Sequence, residues 1–484
     1  MSKSKILLFI LLAFIGGVFV RSFFEISQNY LLMLLTFSIV LLTIFYKNKY
    51  AALVAFILLF FAIGIWRVEN SLKGIEDADK AGKTFNENAL VLKASESSFG
   101  QNVIMRLEQE KIVMLLQVTM YPVFQYGDLL EISCRAERIE NKEDSDFDYM
   151  MYMAKEGVLY SCEDKNFRKI EERGGNIFLT QIFKLKNLLE KNINDVIPSP
   201  ESVLAGGILL GGSRGFSEEI KNDFSRTGMT HIVAVSGYNV TIIAEYFILL
   251  GIALGLWRKQ AIWFALLGIA LFVVMIGFPA SAVRAGVMSG ILLWAMKHGR
   301  LASSENAIIF AGAIMLFLNP LLLRYDIGFQ LSFLATLGIV STSPFWEKSF
   351  IKKHKALGIS EIIALSLSAQ IFVLPIIAYN FHTASLVSLL ANVLILPIVP
   401  LSMFLAFLTA LAEFIFSPLS LVLAWLTYLP LHYEISLIHL LSQFSWASVE
   451  IEKVSVLFVV VYYIILIAVL IALNKSKIQN LNVK

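Results

Sequence analysis

The chain has 484 residues, of which 57% are hydrophobic and 16% charged, with a formal net charge of +3. Average soluble domains carry about 25% charged residues, so this composition excludes an ordinary soluble globular protein. Repeated apolar runs of about 17–25 residues, each able to cross roughly 30 Å of hydrocarbon, define a polytopic membrane protein.

The N-terminus reads MSKSKILLFILLAFIGGVFVRS. Its basic lead and apolar core resemble a signal peptide, but no A-x-A-like cleavage site follows and two further apolar runs come at once. It is therefore expected to remain as the first of three membrane helices, near residues 6–24, 30–46 and 50–66. Lys3 and Lys5 precede the first helix, and Lys47 and Lys49 fill the turn between the second and third. The positive-inside rule puts both clusters, and with them the N-terminus, on the cytoplasmic side. Residues 1–66 thus form one part, and residue 67 emerges on the outer face.

Residues 67–175 form a polar, extracytoplasmic domain that reads as β-rich. Lys111–Val118 (KIVMLLQV) and Leu129–Ala136 (LLEISCRA) have strand length, with a turn signal at Tyr126-Gly127-Asp128 between them. A short helix over Phe147–Lys155 and a last strand over Gly157–Cys162 complete a small barrel or sandwich. Both cysteines of the chain, Cys134 and Cys162, fall here. An oxidising exterior permits a disulfide between them, and two free buried thiols are the equal alternative. The domain carries 15 Lys+Arg against 21 Asp+Glu, a net of −6. Non-specific DNA binding is mostly phosphate neutralisation, so such a domain is a poor general trap for nucleic acid.

After a linker-like Glu171–Gly175 comes an amphipathic segment over 177–196, within a connecting region 176–201. Apolar runs then continue through 202–474, ahead of a short basic tail, 475–484. Positive loops at Arg258-Lys259, Lys297–Arg300 and Lys348–Lys355 alternate along these runs. They can share the cytoplasmic side if Tyr428–Phe444, which mixes Glu434, two histidines and aromatics, lies in the interface instead of crossing.

Candidate chemistry begins with GGILLGGSRGFSEEIKNDFSRTGM, residues 206–229. Gly206, Gly207, Gly211 and Gly212 suit close backbone approach or a helix broken at membrane depth. Gly-Gly-Ser-Arg-Gly lacks the spacing and preceding strand of a phosphate loop, and Ser217-Glu218-Glu219 is an ordinary helix start. Next comes THIVAVSGYNV, residues 230–240. On a single helix, His231 and Ser236 stand roughly 140° apart and about 7.5 Å apart along the axis. That is too far for a nucleophile–base pair. With Asn239 between them in angle, the three would form a polar flank suited to a pore lining or to interhelical hydrogen bonds. The six histidines show no HxH or HExxH spacing and no CxxC occurs, so neither a metal cofactor nor another cofactor is expected.

Other polar residues interrupt the apolar runs: Glu245, Arg284, Asp326, Gln330, Gln370 and Asn392. Each alone fits buried polar glue, or snorkelling for Arg284 and Asp326, as well as it fits a pathway. Together they favour an aqueous conduit.

Four blocks carry a resemblance: LLGGSRGFSEEIKNDFSRTGMTHIVAVSGYN (209–239), SAVRAGVM (281–288), DIGFQLSFLATLG (326–338) and ANVLILP (391–397). In order and spacing they resemble the signature of ComEC-type competence proteins, and FDYMMYMAKEGVLYSC resembles the end of that family's OB-like outer domain. The resemblance implies a polytopic α-helical membrane protein with an inserted small β-rich, OB-like extracytoplasmic domain, in the bacterial plasma membrane. It implies a non-enzymatic channel passing single-stranded DNA into the cytoplasm during natural transformation. Its path residues would be Arg214, His231, Ser236, Gly237, Asn239, Arg284, Gln330 and Asn392. Its partners would be the DNA strand, a DNA receptor, cytoplasmic translocation proteins and the lipid bilayer, with homo-oligomerisation open. The sequence departs from the family at Asn239, where a second histidine is common. It also stops after its last apolar run, so a C-terminal metallo-β-lactamase-like domain is not expected and strand degradation would fall to another protein. Two other readings stay in view: a transporter of a smaller solute or ion using Glu245 and His231, and a membrane-embedded hydrolase using Ser236.

Overall fold

Backbone-to-backbone contact between the first and third helices sets the N-terminal arrangement in the computed structural model. A Cβ on Gly17 would stand 2.0 Å from the Phe61 carbonyl oxygen, and one on Gly64 would stand 2.3 Å from that of Phe14. Small residues at such a crossing let membrane helices pack by close van der Waals contact. The structure describes residues 3–76, 80–97, 100–119, 121–141, 147–171, 174–212, 215–233, 235–297, 304–346 and 359–481.

In chain order, helices α1 (Lys3–Phe23), α2 (Gln28–Phe45) and α3 (Lys49–Glu76) lead into strands β1 (Thr84–Ser97), β2 (Gly100–Leu107), β3 (Val113–Val118) and β4 (Leu129–Arg138). Helix α4 (Tyr149–Ala154) and strand β5 (Tyr160–Glu171) follow, then α5 (Ile177–Val196), α6 (Glu201–Leu210), α7 (Glu218–Arg226), α8 (Thr230–Val233) and α9 (Gly237–Ala253). Next come α10 (Arg258–Met275), α11 (Ala280–Lys297), α12 (Ser304–Leu318), α13 (Leu322–Tyr325), α14 (Ile327–Trp346) and α15 (Ile359–Phe381). The chain finishes with β6 (Thr383–Ser385), α16 (Ser388–Ile395), α17 (Val399–Ile415), α18 (Ser417–Ser442), β7 (Ser448–Glu450) and α19 (Val456–Leu481). Among the described residues, seven helices (α1, α2, α3, α10, α15, α18 and α19) are long and apolar enough to cross a membrane. The pair α16–α17, bent by 51° at a short break, forms an eighth candidate span or a re-entrant loop.

The chain divides into two compact units. The first comprises residues 1–187, 270–278 and 290–329. Its polar part is a closed five-stranded barrel in the order β1-β2-β3-β5-β4, with β3 and β5 parallel and the other pairings antiparallel. Period-two alternation builds the barrel core: on β4, Leu130, Ile132, Cys134 and Ala136 point inward against Val91, Met105, Met114 and Leu116. Cys134 and Cys162 stand side by side in the barrel core with Cα atoms 5.5 Å apart, a spacing that suits a disulfide.

The topology is OB-like, and it corrects two expectations. The last strand is Tyr160–Glu171 rather than Gly157–Cys162, because its polar second half pairs with β4 along the barrel wall. Gly174 and Gly175 are not a loose linker. Gly174 N–H donates to the Gly127 carbonyl at 2.6 Å, and a side chain there would strike Leu90 and Leu129. The first domain boundary also shifts, since α3 continues ten residues past Trp66 and carries its polar last turns out to Glu76.

Helix α4 binds the barrel to the helical part of the same unit. Met151 and Ala154 pack on Ile75 of α3 and on Leu321, just ahead of α13. Beside them Lys155 Nζ stands 2.5 Å from Asp326 Oδ2 and 4.0 Å from the centroid of the Tyr152 ring. Asn319 Nδ2 donates to the Lys155 carbonyl at 2.8 Å. Asp326 also accepts from the Phe329 N–H at 2.7 Å, which caps α14. Asp326 is thus an ion-pair anchor and a cap, neither snorkelling nor free to line a path.

The second unit comprises residues 188–269, 279–289 and 330–484. Tyr428–Phe444 does not form a separate interfacial segment, because α18 runs unbroken from Ser417 to Ser442 with Pro430 inside it. The irregular segment is instead α16–α17, where Pro397 lies in the break. The basic loops at 298–300 and 348–355 lie outside the described residues.

Candidate functional site

The site in the second unit begins where α6 ends. Gly211 (φ +80°) and Gly212 (φ +117°) stop that helix in a conformation that costs other residues strain. Gly207, one turn earlier, leaves room for the Gly212 carbonyl and for Val233. The chain then forms α7, with Ser217 capping it by accepting from the Ile220 N–H at 3.3 Å. Arg214 lies outside the described residues.

The stretch 230–240 is not one helix, which corrects the single polar flank drawn from ideal spacing. Helix α8 stops at Val233 and α9 starts at Gly237, with Ser236 in extended conformation as its N-cap. The break arises because Ser236 offers the backbone a competing partner. Its Oγ accepts from the Asn239 N–H at 3.4 Å and donates to Asn239 Oδ1 at 3.0 Å. Asn239, 1% exposed, donates through Nδ2 to the Ile208 carbonyl of α6 at 3.0 Å. His231 is exposed, and its Nδ1–H donates to the Gly228 carbonyl at 3.0 Å. That bond selects the tautomer in which Nε2 is an acceptor. His231 and Ser236 each bond elsewhere rather than to each other.

Arg284, on the second turn of α11, faces this break. It is 8% exposed, and its Nη2 stands 2.8 Å from where a Cβ on Gly237 would be. Nε donates to Ser332 Oγ at 2.6 Å and Nη1 to Thr336 Oγ1 at 2.5 Å, both on α14. Ser332 and Thr336 are four residues apart and so share one helix face. Ser281, one turn before Arg284, donates to the Val235 carbonyl at 2.8 Å and ties α11 to the break. Every described polar partner of Arg284 is neutral: two hydroxyls and the Met288 sulfur. A buried guanidinium with no carboxylate among its described partners, set against the positive end of a 17-residue helix, makes a strongly electropositive spot.

Ser236, Gly237, Asn239 and Arg284 therefore gather around one helix break. Gln330 lies half-buried near the start of α14. Asn392 lies on α16, buried, with Oδ1 lacking a hydrogen-bond partner among the described residues. Gln370 donates to Ser388 Oγ at 3.0 Å, joining α15 to α16, and Glu245 is exposed on α9. The sequence alone does not single out Ser332 and Thr336. Hydroxyls in an apolar run are ordinary, and only their i, i+4 spacing inside DIGFQLSFLATLG hinted at a shared polar face.

Fold and site together define a polytopic helical membrane protein with an inserted OB-like barrel, whose second unit is organised around broken helices and a buried cation. The profile of the Competence family, described as "Competence protein", matches residues 208–476, which is more than half of the chain and contains the whole site. ComE operon protein 3 of Bacillus subtilis (strain 168) is 26% identical over 242 residues, covering 50% of this chain and 30% of that relative. The match thus spans about a third of the relative's length. No solved structure matches the chain. The chain belongs to the ComEC-type competence protein family.

Proposed function

We propose that this protein is the membrane conduit through which single-stranded DNA enters the cytoplasm of a bacterium during natural transformation, and that it works without catalytic chemistry. Family membership supports competence as the setting. The observation that carries the conduit is Arg284, a buried guanidinium with only neutral described partners at the start of α9. An unpaired charge removed from water costs several kcal/mol. A passing phosphate supplies the missing counter-charge, and the N-terminal end of α9 favours the same anion. Ser236 and Asn239 shape the same break through their mutual hydrogen bond and the bond from Asn239 to the Ile208 carbonyl, and His231 adds a hydrogen-bonding group on the neighbouring α8.

In this reading the N-terminus is cytoplasmic, since Lys3, Lys5, Lys47 and Lys49 share one side of α1–α3. The barrel then faces outward. Its net charge of −6 suits assembly or gating, with DNA delivered by a receptor and drawn inward by cytoplasmic translocation proteins. Homo-oligomerisation is compatible with the same arrangement.

Arg284 would equally attract a small anion, which keeps a solute transporter as the second reading. Replacing Arg284 with leucine in a transformable host separates the two. The conduit predicts loss of transformation by added DNA with the protein still in the membrane. Transformation at the parental level would reject it, and loss of small-anion flux alone would establish the transporter.

A further inference from the structure

The most unusual group outside the Arg284 site is Glu434, near the middle of α18. It is 1% exposed. Oε1 accepts from Ser402 Oγ of α17 at 2.6 Å, while Oε2 has no hydrogen-bond partner among the described residues. Helices α6, α7, α16 and α17 pack against α18, and none offers Glu434 a cation. On α6, Glu201 is held by His432 at 2.8 Å, and on α7, Asp223 is held by His439 at 2.7 Å. Also on α7, Lys221 pairs with Glu218, Glu219 is a further acid, and Arg226 donates to the Phe444 carbonyl. The acid of α17, Glu413, bonds Ser417 and Ser420 three turns from Ser402, and α16 carries no ionisable residue. On α18 itself, Tyr428 stacks on His432 and Tyr433 donates to the Leu394 carbonyl.

An ionised carboxylate in this setting would be a buried charge with one neutral donor, a costly arrangement inside a helical bundle. A proton on Oε2 removes the charge and leaves Ser402 donating to the remaining carbonyl oxygen. A metal cation fits less well. Glu434 and Ser402 supply at most three oxygens, against the six or more that hard cations gather. Ser402 sits in the first turn of α17, immediately after the 51° break from α16. Any hinge motion at that break moves the one donor that Glu434 has. Broken helices of this kind carry exchangeable ions in secondary transporters.

We propose that Glu434 is a proton-binding site, loaded in the conformation described here and emptied to water when α17 moves at its break with α16. The protonation stands on the geometry of Glu434 alone; only its coupling to transport rests on the conduit reading. The test uses the purified full chain in lipid nanodiscs and infrared difference spectroscopy. At neutral pH the wild type is expected to show a carboxylic-acid C=O band that Glu434→Gln lacks. Ser402→Ala should move that band to higher frequency by removing the hydrogen bond to the carbonyl oxygen. Exchange of sodium for choline should leave it unchanged. A Glu434 signal in the carboxylate region at neutral pH, a band insensitive to Ser402→Ala, or a band abolished by sodium would each overturn the assignment. Coupling is read separately: Glu434→Gln should lower transformation at least tenfold with the protein still in the membrane, and parental transformation would reject coupling. If Arg284→Leu leaves transformation intact while the band persists, the conduit reading falls and the proton site stands.

Discussion

Gly237 and Arg284 occupy one space: the guanidinium Nη2 lies 2.8 Å from the point where any side chain at residue 237 would begin. A side chain on the glycine that opens α9 would therefore displace the end of the arginine side chain on α11. Gly237→Ala is expected to push the guanidinium off Ser332 and Thr336. Charge-assisted hydrogen bonds contribute about 1.5–3 kcal/mol each, so loss of even one of the two lowers transformation by roughly one to two orders of magnitude. Arg284→Lys keeps the charge but cannot reach both hydroxyls in a planar fork. It should fall between wild type and Arg284→Leu in a transformation assay normalised to membrane protein level.

The geometry of Asn239 says what its position requires. Its Nδ2 donates to the Ile208 carbonyl, joining α9 to α6. A histidine N–H can serve the same carbonyl, whereas an aspartate would turn an acceptor toward an acceptor. Asn239→His is expected to retain most activity. Asn239→Asp is expected to lose at least about 1–3 kcal/mol through the unsatisfied buried carbonyl, seen as a lower melting temperature in detergent. Equal behaviour of the two variants would show that donation to Ile208 is not what the position needs.

Lys155 and Asp326 anchor the end of α4 to the turn after α13 within the first unit, with side chains 7% and 14% exposed. Breaking a buried pair by removing one partner costs about 3–5 kcal/mol. Lys155→Met or Asp326→Asn alone should therefore lower the thermal midpoint of the full chain markedly. The double variant should recover part of the loss, because no charge is then left unpaired. A double-mutant cycle with zero coupling energy would remove the anchor from the account.

The barrel carries a groove of about 650 Å³ lined in part by Glu87, Glu108 and Glu131, with Arg168 as the one basic residue among its described lining. Phosphates are repelled there, in keeping with delivery of DNA by a receptor. Replacing the three glutamates with lysine should create salt-sensitive DNA binding in the full chain. The slope of log K against log salt should steepen by about 0.7 for each single-strand phosphate newly contacted. Strong, salt-sensitive binding by the unaltered barrel face would contradict the acidic-surface argument.

Much of the architecture was legible in the residues. Apolar run length reports membrane helices directly, since the bilayer demands about twenty apolar residues per crossing. The strand length of LLEISCRA and the turn signal before it reported a strand, and the order of the four motifs reported the family. The breaks were harder to read. Val233 and Gly237 sit in an apolar stretch that ideal spacing carries through as one helix. Only the competition of the Ser236 hydroxyl for backbone partners, and the need to seat Arg284, stops it. Strand β5 was cut short for the converse reason: its second half is polar, and pairing with β4 rather than burial holds it.

The sequence by itself thus determined the membrane class, the inserted barrel and the family, because each follows from local patterns that any neighbouring structure must respect. Tertiary structure alone decided which polar residues meet. Arg284 is answered by hydroxyls 48 and 52 residues away, and Asp326 by a lysine 171 residues away. Among the described residues, Glu434 is answered on one side only. No periodicity encodes those distances, since the cost of an unpaired group in a membrane is set by whichever helices fold against it.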